Sequence, residues 1–280
     1  MEFIQAADIE RLIDYPSMIS AMERAFKNGI VTPVRHHHAV EKPNASPITL
    51  LLMPAWTDFS GLKDGESGSI GVKIVTVAPD NGAVSKPSIM GLYLLLDGRT
   101  GEPRALIDGP MLTAFRTAAT SALAASYLAR KDAEVHLIIG AGALSAHLAR
   151  AHRAVLPIAK TLIWNRSPAG AENVADRLRS FGFDAEAIGD LDQGLRSADI
   201  ISAATLSTTP LVRGNLLKDG THIDLVGAFN AQMRESDDDA LRRSSIFIDT
   251  PACKVEGGDV AIGIKNAVIP EEAVRADFSA

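Results

Sequence analysis

Among 280 residues there is one cysteine, Cys253, and only two tryptophans and three tyrosines. A single thiol cannot build a disulfide framework or a Cys-x-x-Cys metal knuckle, and it suits a reducing compartment. Positive charge is also scarce: 28 Lys and Arg stand against 34 Asp and Glu, a net charge of −6. That leaves no basic excess for a phosphate backbone or an anionic bilayer, so neither nucleic acid nor membrane is an expected partner. No uncharged apolar run reaches the ~18 residues of a membrane span. Met1-Glu2-Phe3-Ile4-Gln5 carries no basic region ahead of an apolar core, so no signal peptide is expected and the cytoplasm is the expected location. Internal repeats and low-complexity tracts are absent as well.

What is present is ordinary globular material, 46% apolar and 22% charged, in a length that suggests two domains. The rhythm changes near residue 111. Before it, one interrupted helix over residues 8–27 precedes short apolar runs broken by Gly, Pro, Asn and Asp: 47–54, 69–78, 89–97 and 103–108. These read as strands, the last two as a hairpin. An Ala-rich helix follows, with Leu112, Phe115, Ala119, Leu123 and Tyr127 at helical spacing. From residue 134 onward strands and helices alternate, which implies βαβ units and a parallel sheet. The expected fold class is therefore α/β: an α+β domain over residues 1–115, then a doubly wound Rossmann domain over 116–259. Residues 260–280 could return to the first.

Gly140-Ala141-Gly142-Ala143-Leu144-Ser145 follows the apolar strand 135–139 and opens a helix. In that setting Gly140 permits a tight turn and Gly142 lets the backbone approach a pyrophosphate. Ser145 replaces the third glycine where helix packs on strand. The helix amides and dipole favour the phosphate charge. The next strand ends in Asn165-Arg166-Ser167, with no acid where an NAD site places one for the ribose hydroxyls. A guanidinium there suits a 2′-phosphate, so NADPH is the expected cofactor, with NADH as the alternative.

Three cations stand in apolar surroundings. Lys73 lies within Ile70–Val77, Arg116 within the Ala-rich helix, and Arg35 opens another apolar stretch. An ammonium inside a strand is costly unless an anion meets it or its head reaches water. Three such cations suggest a pocket for a carboxylate, though ordinary ion pairs would also explain them. His36-His37-His38 offers at most two side chains to one ion if it is a strand, and no other ligand motif supports it, so no metal is expected. Cys253 has no neighbouring His in sequence and is expected as a buried structural thiol.

These segments together resemble the ornithine cyclodeaminase/μ-crystallin family. The likeness runs from about Ala7 to Asp259 and rests on Leu51-Leu52-Met53-Pro54-Ala55, Gly71-Val72-Lys73-Ile74-Val75, Leu112-Thr113-Ala114-Phe115-Arg116-Thr117-Ala118-Ala119, Gly140-Ala141-Gly142-Ala143 and Gly258-Asp259. The resemblance implies a homodimer paired through the first domains. It also implies a substrate carboxylate held by Arg35, Lys73, Ser88 and Arg116, with Lys73 and Arg116 at the chemistry. Thr205, Val226 and Gly227 join the glycine loop and Leu144 as expected cofactor contacts. Where cyclodeaminases carry an aspartate, this chain has Phe229 in Val226-Gly227-Ala228-Phe229. Phenylalanine cannot exchange protons, so Phe229 is expected as an apolar wall beside the substrate, and Asp224 is not expected to take the acid's place. The likeness is then to the family's ketimine reductases, which reduce Δ1-pyrroline-2-carboxylate to L-proline and often Δ1-piperideine-2-carboxylate to L-pipecolate with NAD(P)H. Ornithine cyclodeamination, reductive amination of pyruvate and non-catalytic NADPH binding are the rivals. Relatives continue further beyond Gly258-Asp259 with a Phe-Lys-Ser-Val-Gly-type segment not found here, so the first domain is expected to lack part of its closing piece.

Overall fold

The computed structural model describes residues 1–62, 67–228 and 230–278. It divides into two units, Met1–Arg116 and Thr117–Ala280.

In the first unit, β1 (Glu2–Ile4), α1 (Ala6–Leu12) and α2 (Tyr15–Asn28) precede a mixed sheet. Asp14 starts α2 by accepting the Ser17 N–H at 2.8 Å, with Pro16 in the first turn where no amide donor is needed. Gly29, at φ +82°, ends it. Then come β2 (Ile30–Val31), β3 (His36–Lys42), β4 (Ala45–Thr57), β5 (Ser69–Val77), β6 (Ile89–Asp97) and β7 (Pro103–Asp108). The order is β1-β7-β6-β5-β4-β2, with β3 also paired to β4. Only β1 is parallel to its neighbour. The β6–β7 hairpin turns on Asp97, whose Oδ1 accepts the amides of Arg99 and Thr100.

Two features depart from expectation. β3 is a strand although polar residues fill it, because β4 supplies a ladder partner from His36↔Leu52 to Lys42↔Ala45. β4 itself is longer than the apolar run 47–54 and passes through Pro54. Pro54 pairs with Val72 of β5, but on its other side β3 ends at Leu52 and β2 begins at Trp56, so its missing N–H breaks no ladder.

Asp108 then accepts the Met111 amide at 2.8 Å and starts α3 (Gly109–Leu128). A Cβ at Gly109 would lie 2.7 Å from the Gly91 carbonyl carbon, so only glycine lets the helix begin this close to β6. Phe115 is fully buried and stacks on Tyr15, ring centroids 5.0 Å apart.

The second unit holds β8 (Val135–Ile139), α4 (Ser145–Arg153), β9 (Lys160–Trp164), α5 (Pro168–Ser180), β10 (Ala185–Ala187), α6 (Leu191–Ser197), β11 (Ile200–Ala203) and β12 (His222–Leu225). The five strands are all parallel in the order β10-β9-β8-β11-β12. This is the doubly wound Rossmann arrangement, with the order reversing between β8 and β11. Both faces are covered, as a parallel sheet requires. Leu137, Ile139 and Ile201 pack with Leu191 and Leu195 of α6, while Ile200 packs with Ala125 and Ala129 of α3. The chain finishes with α7 (Asp238–Arg243), β13 (Ile246–Phe247), α8 (Gly258–Lys265) and β14 (Val274–Ala276). The helix at 258–265 carries no strong sequence signal. β14 lies parallel to β13 within the second unit.

Candidate active site

The glycine loop stands where β8 gives way to α4. Gly140 has φ +112°, which disfavours any side chain, and a Cβ there would also lie 2.7 Å from the Ala204 oxygen. A Cβ at Gly142 would meet nothing within 4 Å, so open space lies against the backbone just before α4. Ala141, Gly142, Ala143 and Leu144 are half-buried or exposed. Ser145 is fully buried and its hydroxyl donates to the Gly140 oxygen at 3.0 Å, closing the turn from within. An open backbone cradle ahead of a nine-residue helix fits a pyrophosphate.

At the end of β9, Asn165 donates its side-chain amide to the Ser167 carbonyl at 3.0 Å, and Ser167 caps α5. Those two side chains shape the turn; Arg166 between them is exposed. Gly170 is a participant that sequence reasoning passed over. A Cβ there would lie 2.8 Å from the Asn165 amide and 3.4 Å from the Ala141 methyl, so its absence lets α5 close on the glycine loop. A hollow lined by Trp164, Leu191, Pro210 and Leu211, with Asp190 and Arg213 also on its wall, opens from the same strand end.

The first unit gathers the cations. Lys73, at the middle of β5, is half-buried and pairs in register with Met53 of β4 and Tyr93 of β6. Burial, then the charges of Arg116 and Arg35, depress its ammonium to about 8. The fold thus brings together three cations far apart in sequence, one on β5, one on α3 and one just before β3. No carboxylate forms a salt bridge with Lys73 among the described residues. Ser88 is exposed one residue ahead of β6, and its carbonyl accepts the Ala78 amide at 2.7 Å. Tyr93 is the neighbour that sequence reasoning missed. Its ring covers Gly71, where a Cβ would fall 1.8 Å from the phenol oxygen, and burial raises its hydroxyl. The available signal was a glycine two residues before a lysine inside a strand.

Of the other candidates, Thr205 donates both its amide and its hydroxyl to Glu235 Oε1 at 2.7 Å, and the Gly227 amide donates to Glu235 Oε2 at 2.8 Å. Val226 continues the sheet pairing through its amide to the Ala203 oxygen. Phe229 lies outside the described residues. Asp224 is committed elsewhere: it faces His152, fully buried, at 3.2 Å and His222, 10% exposed, at 3.8 Å. Cys253 is half-buried rather than buried. Its thiol donates to Asp249 at 2.9 Å, and burial with that hydrogen bond pushes it up to about 12, so it is no nucleophile at neutral pH. His36 and His38 lie edge to face on exposed β3, and no group of three metal-ligating side chains suited to an ion occurs among the described residues.

A parallel sheet with an open glycine cradle at its switch point, together with a cation cluster built on a second sheet, defines a dinucleotide-dependent protein that handles a small anion. The chain belongs to the ornithine cyclodeaminase/mu-crystallin family, whose model matches residues 1–277. It is 38% identical to Protein SAR DEFICIENT 4 of Arabidopsis thaliana over 97% of this chain and 83% of that protein. It is 37% identical to the Delta(1)-pyrroline-2-carboxylate reductase of Paracoccus denitrificans over 82% of this chain and 71% of the relative. Among solved structures it is similar to the Thermococcus litoralis Delta(1)-pyrroline-2-carboxylate reductase in complex with NADH and L-proline. That match has a TM-score of 0.88 at 31% identity, over 100% of this chain and 85% of the other. An archaeal alanine dehydrogenase dimer with bound NAD matches with a TM-score of 0.86 at 26% identity, over 100% and 83%. No helix among the described residues is long and apolar enough to cross a membrane.

Proposed function

We propose that this chain is an NAD(P)H-dependent reductase of a cyclic imino acid, converting Δ1-pyrroline-2-carboxylate to L-proline and Δ1-piperideine-2-carboxylate to L-pipecolate. The observation that carries the reading is the gathering of Lys73 on β5, Arg116 on α3 and Arg35 ahead of β3; burial first, then the charges of the two arginines, depress the Lys73 ammonium. Lys73 is half-buried and Arg35 and Arg116 are exposed, so an anion arriving beside them would meet three positive charges, and the substrate carboxylate is that anion. The reductases among the relatives and the solved structure with NADH and L-proline support the same substrate class.

The backbone of Gly140, Ala141, Gly142, Ala143 and Leu144 would hold the cofactor's pyrophosphate, Asn165, Arg166 and Ser167 the adenosine ribose and its 2′-phosphate. The loops bearing Thr205, Val226 and Gly227 would hold the nicotinamide half. The reduced nicotinamide supplies a hydride. Arg35, Lys73, Ser88 and Arg116 fix the carboxylate, so that the adjacent C=N carbon is presented in one orientation. Protonation of the ring nitrogen makes that carbon electrophilic. Lys73, at about 8, can exchange that proton near neutral pH, which an ordinary lysine cannot. Phe229 would supply an apolar wall. A second copy would cover the exposed Ile89, Met90 and Leu92 of β6, giving a homodimer paired through the first units.

The test is NADPH oxidation with Δ1-pyrroline-2-carboxylate, with Lys73→Ala and Arg116→Ala alongside. Turnover by the wild type and at least ~100-fold loss of kcat/KM in each variant are expected. A wild-type rate equal to background, or ammonia release from ornithine with NAD+, overturns the reading.

A further inference from the structure

We propose that Glu235 is the positioning residue of the nicotinamide half-site, its carboxylate holding the loops after β11 and β12 at a fixed separation. This rests on the dinucleotide reading above. In a sheet of order β10-β9-β8-β11-β12 the glycine loop and the β9 end take the adenosine diphosphate half. The nicotinamide must then cross the switch point to the exits of β11 and β12. Those exits are where Glu235 acts.

Its side chain is fully buried, while the loop residues it holds are half-buried and Leu206 among them is 71% exposed. The carboxylate therefore grips the shelf from inside and leaves the outer side open. Thr205, after β11, gives Oε1 its amide and hydroxyl, and Gly227, after β12, gives Oε2 its amide. The two loops touch backbone to backbone: a Cβ on Gly227 would fall 2.0 Å from the Thr205 oxygen and 2.8 Å from Glu235 Oε1. The Glu235 carbonyl also accepts the amides of Leu211 and Val212. Such a convergence of donors on one buried group sets geometry rather than merely filling space.

Glu235 is itself anchored. Asp259 at the start of α8, 4% exposed, accepts the amides of Glu235 and Ser236 and the Ser236 hydroxyl at 2.6–3.2 Å. Gly258 beside it has φ +80°, and a Cβ there would lie 2.8 Å from the Ala228 oxygen, in the same loop as Gly227. Gly258-Asp259, a family segment without an evident role in the sequence, is thus the far end of the clasp. Burial, and to a smaller degree the charge of Asp259, raises the Glu235 carboxyl, while the three donors to its oxygens pull the other way. A fold needing only to tie two loops would not require a charge here. The carboxylate is the one group of this size that accepts on both oxygens.

The experiment compares Glu235→Gln with wild type by titrating NADH and, separately, ADP-ribose, which lacks only the nicotinamide. The amide nitrogen of Gln faces the Gly227 N–H donor to donor. The expected result is an NADH Kd raised about tenfold, with bound-NADH emission moving toward that of free NADH, and an ADP-ribose Kd unchanged. Equal loss for both ligands would make Glu235 merely structural and overturns the proposal. So does an unchanged NADH Kd and spectrum. If Glu235→Gln does not fold, Thr205→Val decides: a few-fold loss confined to NADH supports the clasp, and equal behaviour toward both ligands overturns it. A wild type that binds neither ligand overturns the dinucleotide reading itself and the clasp with it.

Discussion

One cluster in the first unit sets like charges near one another, and one in the second sets an acid among histidines. Around Lys73 the neighbours are Arg116 and Arg35, and the ammonium is depressed to about 8. Around Asp224 the neighbours are His152 and His222, with the His136 ring tilted against His152, centroids 4.5 Å apart, and bonded to Ser202. Burial alone would raise the Asp224 carboxyl, yet the His152 charge and hydrogen bond bring it down to about 2. Burial would likewise lower His152, and Asp224 raises it instead. One cluster holds its counter-charges within the fold. The other presents exposed guanidinium groups that an arriving carboxylate can reach, and that difference separates a structural network from a binding site.

The sharpest way to break this comparison is at His152. Removing it leaves Asp224 buried without its main counter-charge, and His152→Ala should lower stability by about 3–5 kcal/mol in urea denaturation at pH 7. The pH dependence has a definite sign. His152 is held above its ordinary value, so its contribution is whole below about pH 6.5 and fades as pH rises through the folded value. Burial pushes His136 and His222 down, and His147 to about 4. These three take up protons on unfolding below about pH 6.5, so stability should decline from pH 6.5 toward 4. A stability that rises over that interval would mean the histidines are not buried neutral.

Lys73 should behave in the opposite way. Lys73→Met should cost about 10²-fold or more in kcat/KM, because the carboxylate loses a partly desolvated charge, while relief of repulsion leaves stability unchanged or higher. In the wild type, kcat/KM should fall above about pH 8 as the free enzyme gives up that proton, and Lys73→Arg should remove this limb. Between about 8 and 10.5 the folded chain releases a proton that the unfolded chain keeps, so stability should rise with pH in that window. A Lys73→Met variant that loses stability as His152→Ala does would erase the distinction between the two clusters.

How much of this could be read from the chain differs between the units for a physical reason. In the second, the strands are short, mostly apolar segments ended by turn residues, because both faces of a parallel sheet are buried, and Gly140 and Gly142 announce the cradle. In the first, the sheet is only half-covered. β3 therefore carries His36-His37-His38 and Glu41 with no periodic signal, and only its ladder to β4 makes it a strand. That Lys73, Arg116 and Arg35 meet depends on β-register and on where α3 starts, so the residues alone suggest a carboxylate pocket but leave ordinary ion pairs open, and the family likeness favours the pocket. Glu235 escaped for a related reason: its partners are loop amides, which leave no trace in side-chain pattern.

The smallest effect belongs to Arg166, whose exposed guanidinium works against full solvent screening. Asn165 and Ser167 spend their side chains on the turn, so Arg166 alone of the three keeps its polar head for a ligand. Arg166→Ala should raise the KM for NADPH about five- to tenfold and leave the KM for NADH nearly unchanged, with the NADPH penalty shrinking as salt is added. Equal changes for the two cofactors would place Arg166 away from the 2′-phosphate. A third kind of cationic site would then stand beside the two compared above: one that needs neither an internal partner nor a ligand, because water already satisfies it.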